Sequence, residues 1–254
     1  MANAMAVNED IPRRLSASAG LKWVTGAFKL FRKNPLLLSA TFGLFMGALI
    51  GVDLIPLIGP AFTEILTPLM VASFMAAFRA LDQNDDLELP HFLAGLTTRP
   101  LPLAMVGALY LAALLLIGKV MQLLGLDMKA LGEATNHGDV DAMMTLLQQG
   151  GVALLIGVAL LTPVLMATWM APPLILFGNA APLQSLAISL KACARNVLPL
   201  TVYSLVLLPV LLFAGMIPML LGMLVAGPIL MGSLYTAYQD IFAVRPASLE
   251  TPGE

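Results

Sequence analysis

The sequence predicts an all-α integral membrane protein: about six transmembrane helices arranged as three parallel helical-hairpin repeats, with cytoplasmic amphipathic lead-in helices. Three observations lead there. The 254 residues are 59% hydrophobic and 11% charged, against roughly 45–50% apolar and 25% charged in a soluble domain. The apolar residues gather into runs of about 20, the length that crosses roughly 30 Å of hydrocarbon at 1.5 Å per residue. Stretches of one run recur in another, which points to duplication.

Taken in order, the runs place spans at about 36–57, 61–80, 101–122, 151–176, 197–216 and 220–241. Charge sets the orientation. Arg13, Arg14, Lys22, Lys29, Arg32 and Lys33 precede the first span, Arg79 and Arg99 flank the second loop, Lys191 and Arg195 lie in the fourth, and Arg245 follows the last. Only Lys119 and Lys129 fall on the other side. The excess of basic residues on alternate connections therefore puts both termini in the cytoplasm. The basic stretch before the first run is too long, and the run itself too long, for a cleaved signal peptide. The lone cysteine, Cys193, falls on the cytoplasmic side and has no intrachain partner.

The duplication is visible when residues 21–57 are laid over 183–219 without a gap. Lys29 then meets Lys191, Lys33 meets Arg195, Asn34 meets Asn196, and Ile55-Pro56 meets Ile217-Pro218. After a shift of two, Pro68, Ser73 and Ala77 meet Pro228, Ser233 and Ala237. A third copy runs from Thr162-Pro163 to Ala171 and resembles Thr67-Pro68 to Ala76. The chain thus reads as one polytopic domain over 1–254, with units at about 15–81, 88–177 and 182–242 and flexible tails at 1–14 and 243–254. All units enter from the same side, so the repeats are parallel rather than inverted. Pro68, Pro163 and Pro228, with Ser73, Thr168 and Ser233 five residues on, are the positions where the units are expected to pack, because a hydroxyl there can bond the preceding turn or a neighbouring helix.

The first lead-in, Ala19 to Asn34, spaces Leu21, Val24, Phe28 and Phe31 as one helical face. It is expected to lie on the membrane, with Trp23 at the headgroup boundary and Lys22, Lys29, Arg32 and Lys33 toward anionic lipid. Lys191 and Arg195 repeat the theme in the third unit. The loop over about 123–150 carries Asp127, Glu133, Asp139 and Asp141 against Lys129. A short helix capped by Asp139, with Met143, Met144, Leu146 and Leu147 on its apolar side, is expected there.

Chemistry is scarce. Carboxylates in spans are functional candidates, which singles out Asp53 and Glu64 as an ion- or proton-binding pair. Asp53 lies a rise of about 25 Å from Leu36, near the outer surface, and Glu64 sits in a first helical turn where the dipole favours an anion. His91 is expected inside and His137 outside, so they cannot share a metal. No H-E-x-x-H, phosphate-binding loop, G-x-S-x-G or cysteine pair is present. No catalytic residue, metal or cofactor is assigned, and a net charge of −2 gives no reason to expect nucleic acid. The expected partner is the bilayer itself, anionic phospholipid included, and the expected role is a non-enzymatic scaffold or an envelope or lipid-associated function. The alternative is a small-solute or ion transporter built on proline-broken helices with Asp53 and Glu64.

GLKWVTGAFKLFRKNP (20–35), IPLIGP (55–60), TPLMVASFMAAFRAL (67–81), MAPPLILF (170–177), SLKACARN (189–196) and GPILMGSLYTAYQDIF (227–242) resemble an uncharacterised family of multi-pass inner-membrane proteins of proteobacteria. The resemblance covers nearly the whole chain and implies a bacterial inner-membrane location and a six-helix body. It brings no reaction, substrate or active-site residue. The chain departs from the pattern at Met170, where an aromatic is expected, and at Gln239, where Arg is expected. A more distant similarity is to the membrane domains attached to some glycerophosphodiester phosphodiesterases, without a catalytic domain beside the spans here.

Overall fold

A computed structural model describes residues 12–243, and every regular element among them is helical. In order these are α1 (Ala19–Phe31), α2 (Pro35–Asp53), α3 (Gly59–Asp82), α4 (Leu89–Thr97), α5 (Pro100–Leu123), α6 (Met128–His137), α7 (Val140–Gln149), α8 (Gly151–Trp169), α9 (Ala171–Gly178), α10 (Pro182–Arg195), α11 (Val197–Met216) and α12 (Met223–Phe242). A single 3-10 turn, Pro218–Leu220, joins the last two.

The boundaries follow local chemistry. Pro35 opens α2 behind Asn34, whose side chain accepts from the Leu37 N–H at 3.3 Å, and prolines likewise stand in the first turns of α3, α4, α5, α9 and α10. Asp139 caps α7 by accepting from the Ala142 N–H at 3.0 Å, as its sequence context suggests. Its partner α6 is capped by Asp127, which accepts from Lys129 and Ala130 at 3.0 Å each. It closes on Gly138, whose φ of 66° is cheap only for glycine.

Five stretches are long and apolar enough to cross a membrane: Pro35–Asp53, Gly59–Asp82, Pro100–Leu123, Gly151–Gly178 and Val197–Met216. The sixth expected span is the helix α12, and its composition keeps it out of that group. Its second half carries Ser233, Tyr235, Thr236, Tyr238, Gln239 and Asp240. The reason is position: α12 is buried along most of its length, packed on by α1, α2, α3 and α11, so its polar groups meet protein rather than lipid.

The short helices lie against long ones in a regular manner. α1 packs on α12 and α11, α4 on α3, and α10 on α8. Small residues let the backbones approach: a Cβ on Gly95 of α4 would overlap the Leu69 carbonyl of α3, and one on Gly20 of α1 would overlap the Pro199 carbonyl of α11. α3 also packs on α5, and α12 on α2, whereas among the described residues α8 makes no comparable contact with α11. The main core joins α1, α3, α9, α11 and α12 around Trp23, Phe74, Phe78, Leu174 and Tyr238.

The α8–α9 stretch is broken at Met170. Pro172 and Pro173 cannot donate, and the Ser189 hydroxyl of α10 inserts into the ladder, donating to the Met166 carbonyl at 2.6 Å and accepting from the Met170 N–H at 2.9 Å. The break thus has the two usual causes, proline and an intruding side chain.

Three expectations are revised. The Trp23 ring faces protein rather than headgroups; it is 1% exposed and lies against Trp169 and Tyr203, with ring centroids 6.1 and 5.9 Å away. The buried face of α1 is Ala19, Gly20, Trp23, Ala27, Leu30 and Phe31, while Leu21 and Phe28 are exposed. A helix with two apolar stripes gives its smaller residues and its indole to a helix neighbour, because they allow close approach and offer a hydrogen bond. Thirdly, the tails lie outside the described residues except at 12–14 and 243. At Arg13 the chain is held rather than free: its N–H donates to the Ile241 carbonyl at 2.9 Å and its carbonyl accepts from Asn196 Nδ2 at 2.8 Å.

Candidate functional site

α3 and α12 finish at the same end of the bundle, where α1, α4 and α10 lie, and this end carries the polar chemistry. Lys22, Lys29, Arg32, Lys33, Lys191 and Arg195 are all exposed there. Lys33 Nζ donates to Asn84 Oδ1 at 2.7 Å, and Arg195 Nη1 donates to the Pro12 carbonyl at 3.3 Å. The ion pair found between described residues, Lys129 with Glu133, is exposed and lies on α6. The basic side chains of this end are therefore not neutralised by carboxylates of the described chain, Lys191 being set aside because it has a partner of its own.

Beneath the basic rim is a second layer of buried and half-buried polar groups. Trp23 Nε1–H donates to Asp240 Oδ2 at 3.0 Å, and the Thr236 hydroxyl donates to the Trp23 carbonyl at 2.8 Å, tying α1 to α12 at two points. Asp82 at the end of α3 accepts from the Tyr235 hydroxyl at 3.2 Å and from Gln239 Nε2 at 2.7 Å. Arg79 stands over the Phe177 ring, 5.0 Å from its centroid. Sequence reasoning did not single out Asp82, Trp23 with Asp240, or Arg79 for these roles. The signal present was the polar run Tyr235 to Asp240 inside an otherwise apolar stretch, which needs polar neighbours wherever it is buried.

The repeated proline and hydroxyl positions divide. Pro68, Ser73, Pro228 and Ser233 are buried. The Ser73 hydroxyl donates to the Leu69 carbonyl and accepts from the Gly95 N–H, each at 3.0 Å, joining α3 to α4. The Ser233 hydroxyl is 2.8 Å from the Tyr203 hydroxyl, joining α12 to α11. Pro163 is exposed, and among the described residues Thr168 bonds only its own helix, through Val164 and Leu165. On α8 the hydroxyl that reaches a neighbour is instead supplied from α10, by Ser189.

Asp53 and Glu64 are brought near one another at the opposite end, Asp53 exposed at the close of α2 and Glu64 half-buried on α3, within electrostatic reach of each other. The two histidines are apart: His91 Nδ1 accepts from the Glu88 N–H at 3.1 Å, and His137 closes α6. Among the described residues no group of three His, Cys, Asp or Glu side chains is placed to hold a metal.

Cys193 is buried on α10, its thiol donating to the Met166 carbonyl at 3.3 Å. Burial pushes its pKa up to about 12, partly offset by the neighbouring Ser189 hydroxyl. A raised acid pKa favours the neutral folded form, so its contribution to stability is complete below about pH 9 and is lost as pH rises through about 12. Because the thiolate is the reactive species, a maleimide at pH 7 is expected to leave the folded protein unlabelled and to label it once unfolded. Rapid labelling of the folded protein would contradict this packing.

The chain is 31% identical over 211 residues to a protein of Burkholderia thailandensis described as a probable inner membrane protein, the match covering 75% of this chain and 73% of that one. No family model matches the chain. No solved structure matches it either.

Proposed function

The chain belongs to the family of that probable inner membrane protein of Burkholderia thailandensis, and from this premise we propose that it crosses the inner membrane six times as three parallel hairpins. Both termini and the basic rim lie at the cytoplasmic leaflet, and the protein works there without catalysis, as a lipid-associated scaffold. Supporting the repeat is the recurring arrangement of α1 on α12, α4 on α3 and α10 on α8, in which each lead-in helix rests on the last span of another unit. Supporting the sixth span is α12 itself, 20 residues long with one carboxylate near its end and a central position that accounts for its polarity.

The observation that carries the lipid reading is the surface of α1. Lys22, Lys29 and Arg32 are exposed beside exposed Leu21 and Phe28, so cationic groups and apolar anchors share one free side of a helix whose other side is fixed to the bundle. Each such cation is worth about 1 kcal/mol against an anionic leaflet. Salt weakens the attraction, since the Debye length shrinks from about 10 Å at 0.1 M to about 3 Å at 1 M. In nanodiscs of mixed phosphatidylcholine and phosphatidylglycerol, the purified protein is expected to enrich phosphatidylglycerol around itself. Changing Lys22, Lys29 and Arg32 together to Gln should remove most of that enrichment, as should 1 M salt. Enrichment indifferent to both would sink the lipid part of the reading.

A transporter reading has one observation in its favour, the proximity of Asp53 and Glu64. Ion-flux assays on proteoliposomes would decide it: a flux unchanged in the Asp53→Asn, Glu64→Gln double variant removes that pair from any transport role.

A further inference from the structure

We propose that a crevice between α3, α4 and α9 binds the zwitterionic headgroup of an ethanolamine phospholipid, with the phosphate on Arg79 and the ammonium on Asp85. It rests on the reading that the basic end lies at the membrane surface, and adds to the diffuse attraction of the rim a stoichiometric site with a different lipid preference.

The crevice has a volume of about 250 Å³ and is lined by Arg79, Gln83, Asp85, His91, Thr98 and Phe177, with Ala76, Ala80 and Ala94 among its walls. At roughly 30 Å³ per water, it has room for a small polar group. The alanines keep it open where larger residues would fill it.

Its polar side chains are conspicuous for what they do not bond. Arg79 is half-buried, with its guanidinium over the Phe177 ring, yet it makes no hydrogen bond or ion pair among the described residues. A planar guanidinium fixed by a ring keeps its N–H fork preorganised for a phosphate. The His91 ring accepts the Glu88 N–H through Nδ1, which puts its proton on Nε2 as a further donor. The side chains of Thr98 and Gln83 have no hydrogen-bond partner among the described residues. Asp85 lines the same space and is not paired with Arg79. Opposite charges that border one crevice without neutralising each other suit a ligand carrying both signs. Asp85 disfavours a purely anionic headgroup in that slot, so the specificity differs from that of the rim.

The lipid, rather than a free headgroup, follows from the reading that this end of the bundle lies at the membrane surface, and the apolar side chains of Leu176 and Phe177 line the same crevice.

The test titrates the full-length protein in detergent with short-chain phosphatidylethanolamine, phosphatidylglycerol and glycerophosphoethanolamine, read by native mass spectrometry. Phosphatidylethanolamine is expected to bind at one site more tightly than phosphatidylglycerol. Hydrogen bonds to charged groups are worth about 1.5–3 kcal/mol, so Arg79→Gln should weaken that binding roughly ten- to hundredfold. Asp85→Asn, at an exposed position that folding tolerates, should abolish the preference for ethanolamine over glycerol. The Lys22, Lys29, Arg32 triple variant should lose the weaker phosphatidylglycerol binding and keep the single phosphatidylethanolamine site at undiminished affinity, which separates failure of the rim from failure of the crevice. If Arg79→Gln does not fold, Thr98→Val carries the same test, with a loss of about three- to tenfold. Wild-type binding that does not discriminate between the two lipids overturns the proposal, as does undiminished binding to a folded Arg79→Gln protein. Equal affinity for glycerophosphoethanolamine overturns the assignment to a lipid.

Discussion

Replacement of Trp23 by alanine is expected to destabilise the folded protein by about 3–5 kcal/mol, the range for removing a large buried aromatic. The indole is 1% exposed, meets Trp169 and Tyr203, and donates to Asp240. Its loss opens a cavity where α1, α11 and α12 come together and frees one of the two hydrogen bonds that hold α1 in place. Trp23→Phe separates the contributions. It keeps most of the packing and loses the bond to a carboxylate, at a cost of about 1.5–3 kcal/mol. Denaturation of the detergent-solubilised protein, followed by circular dichroism, measures both. A Trp23→Ala protein as stable as the parent would mean that α1 does not sit against α12 and α11 as described.

Gly95→Val is the second large effect. The Cβ would fall on the Leu69 carbonyl, a backbone atom in the middle of α3 that cannot turn aside. α4 must therefore move off α3, and the Gly95 N–H leaves the Ser73 hydroxyl. Overpacking of this kind costs about 1–3 kcal/mol, with the lost bond to a buried hydroxyl in addition. Hydrogen exchange over 89–97 should rise well before the rest of the bundle responds. Gly47→Ala and Gly118→Ala supply the control, since nothing lies within 4 Å of a Cβ at either position. Equal tolerance at all three sites would contradict the close approach of α4.

What the sequence made legible was whatever depends on local chemistry or on period. The long apolar runs became α2, α3, α5, α8 with α9, and α11; prolines opened helices; Asp139 capped α7. Asp127, by contrast, carries an equally plain capping signal and was read only as an acidic residue, which hid α6. The partner of each amphipathic stripe was not legible, because hydrophobic spacing says that a face is buried and not what covers it. Leu21 and Phe28 look as ready for burial as Trp23 and Leu30, and only the docking of α1 on α12 distinguishes them. The site was hidden for the same reason. Asp82 and Gln239 are far apart in the chain and carry no shared motif, and they meet because α3 and α12 finish side by side.

α12 is also where the six-span account is most exposed, since five helices meet the length and apolarity needed for a span and α12 does not. If it crosses, the turn at Pro218–Leu220 lies outside and Ala243 inside; if it does not, both lie on one side. The decisive measurement is labelling of single cysteines by a membrane-impermeant maleimide in intact spheroplasts, in a background where Cys193 is replaced by Ser. Cysteines at Met219 and His137 are predicted to be labelled from outside, and cysteines at Asp86 and Ala243 only after permeabilisation. Labelling of the residue 243 cysteine in sealed cells would contradict the six-span, parallel-hairpin account.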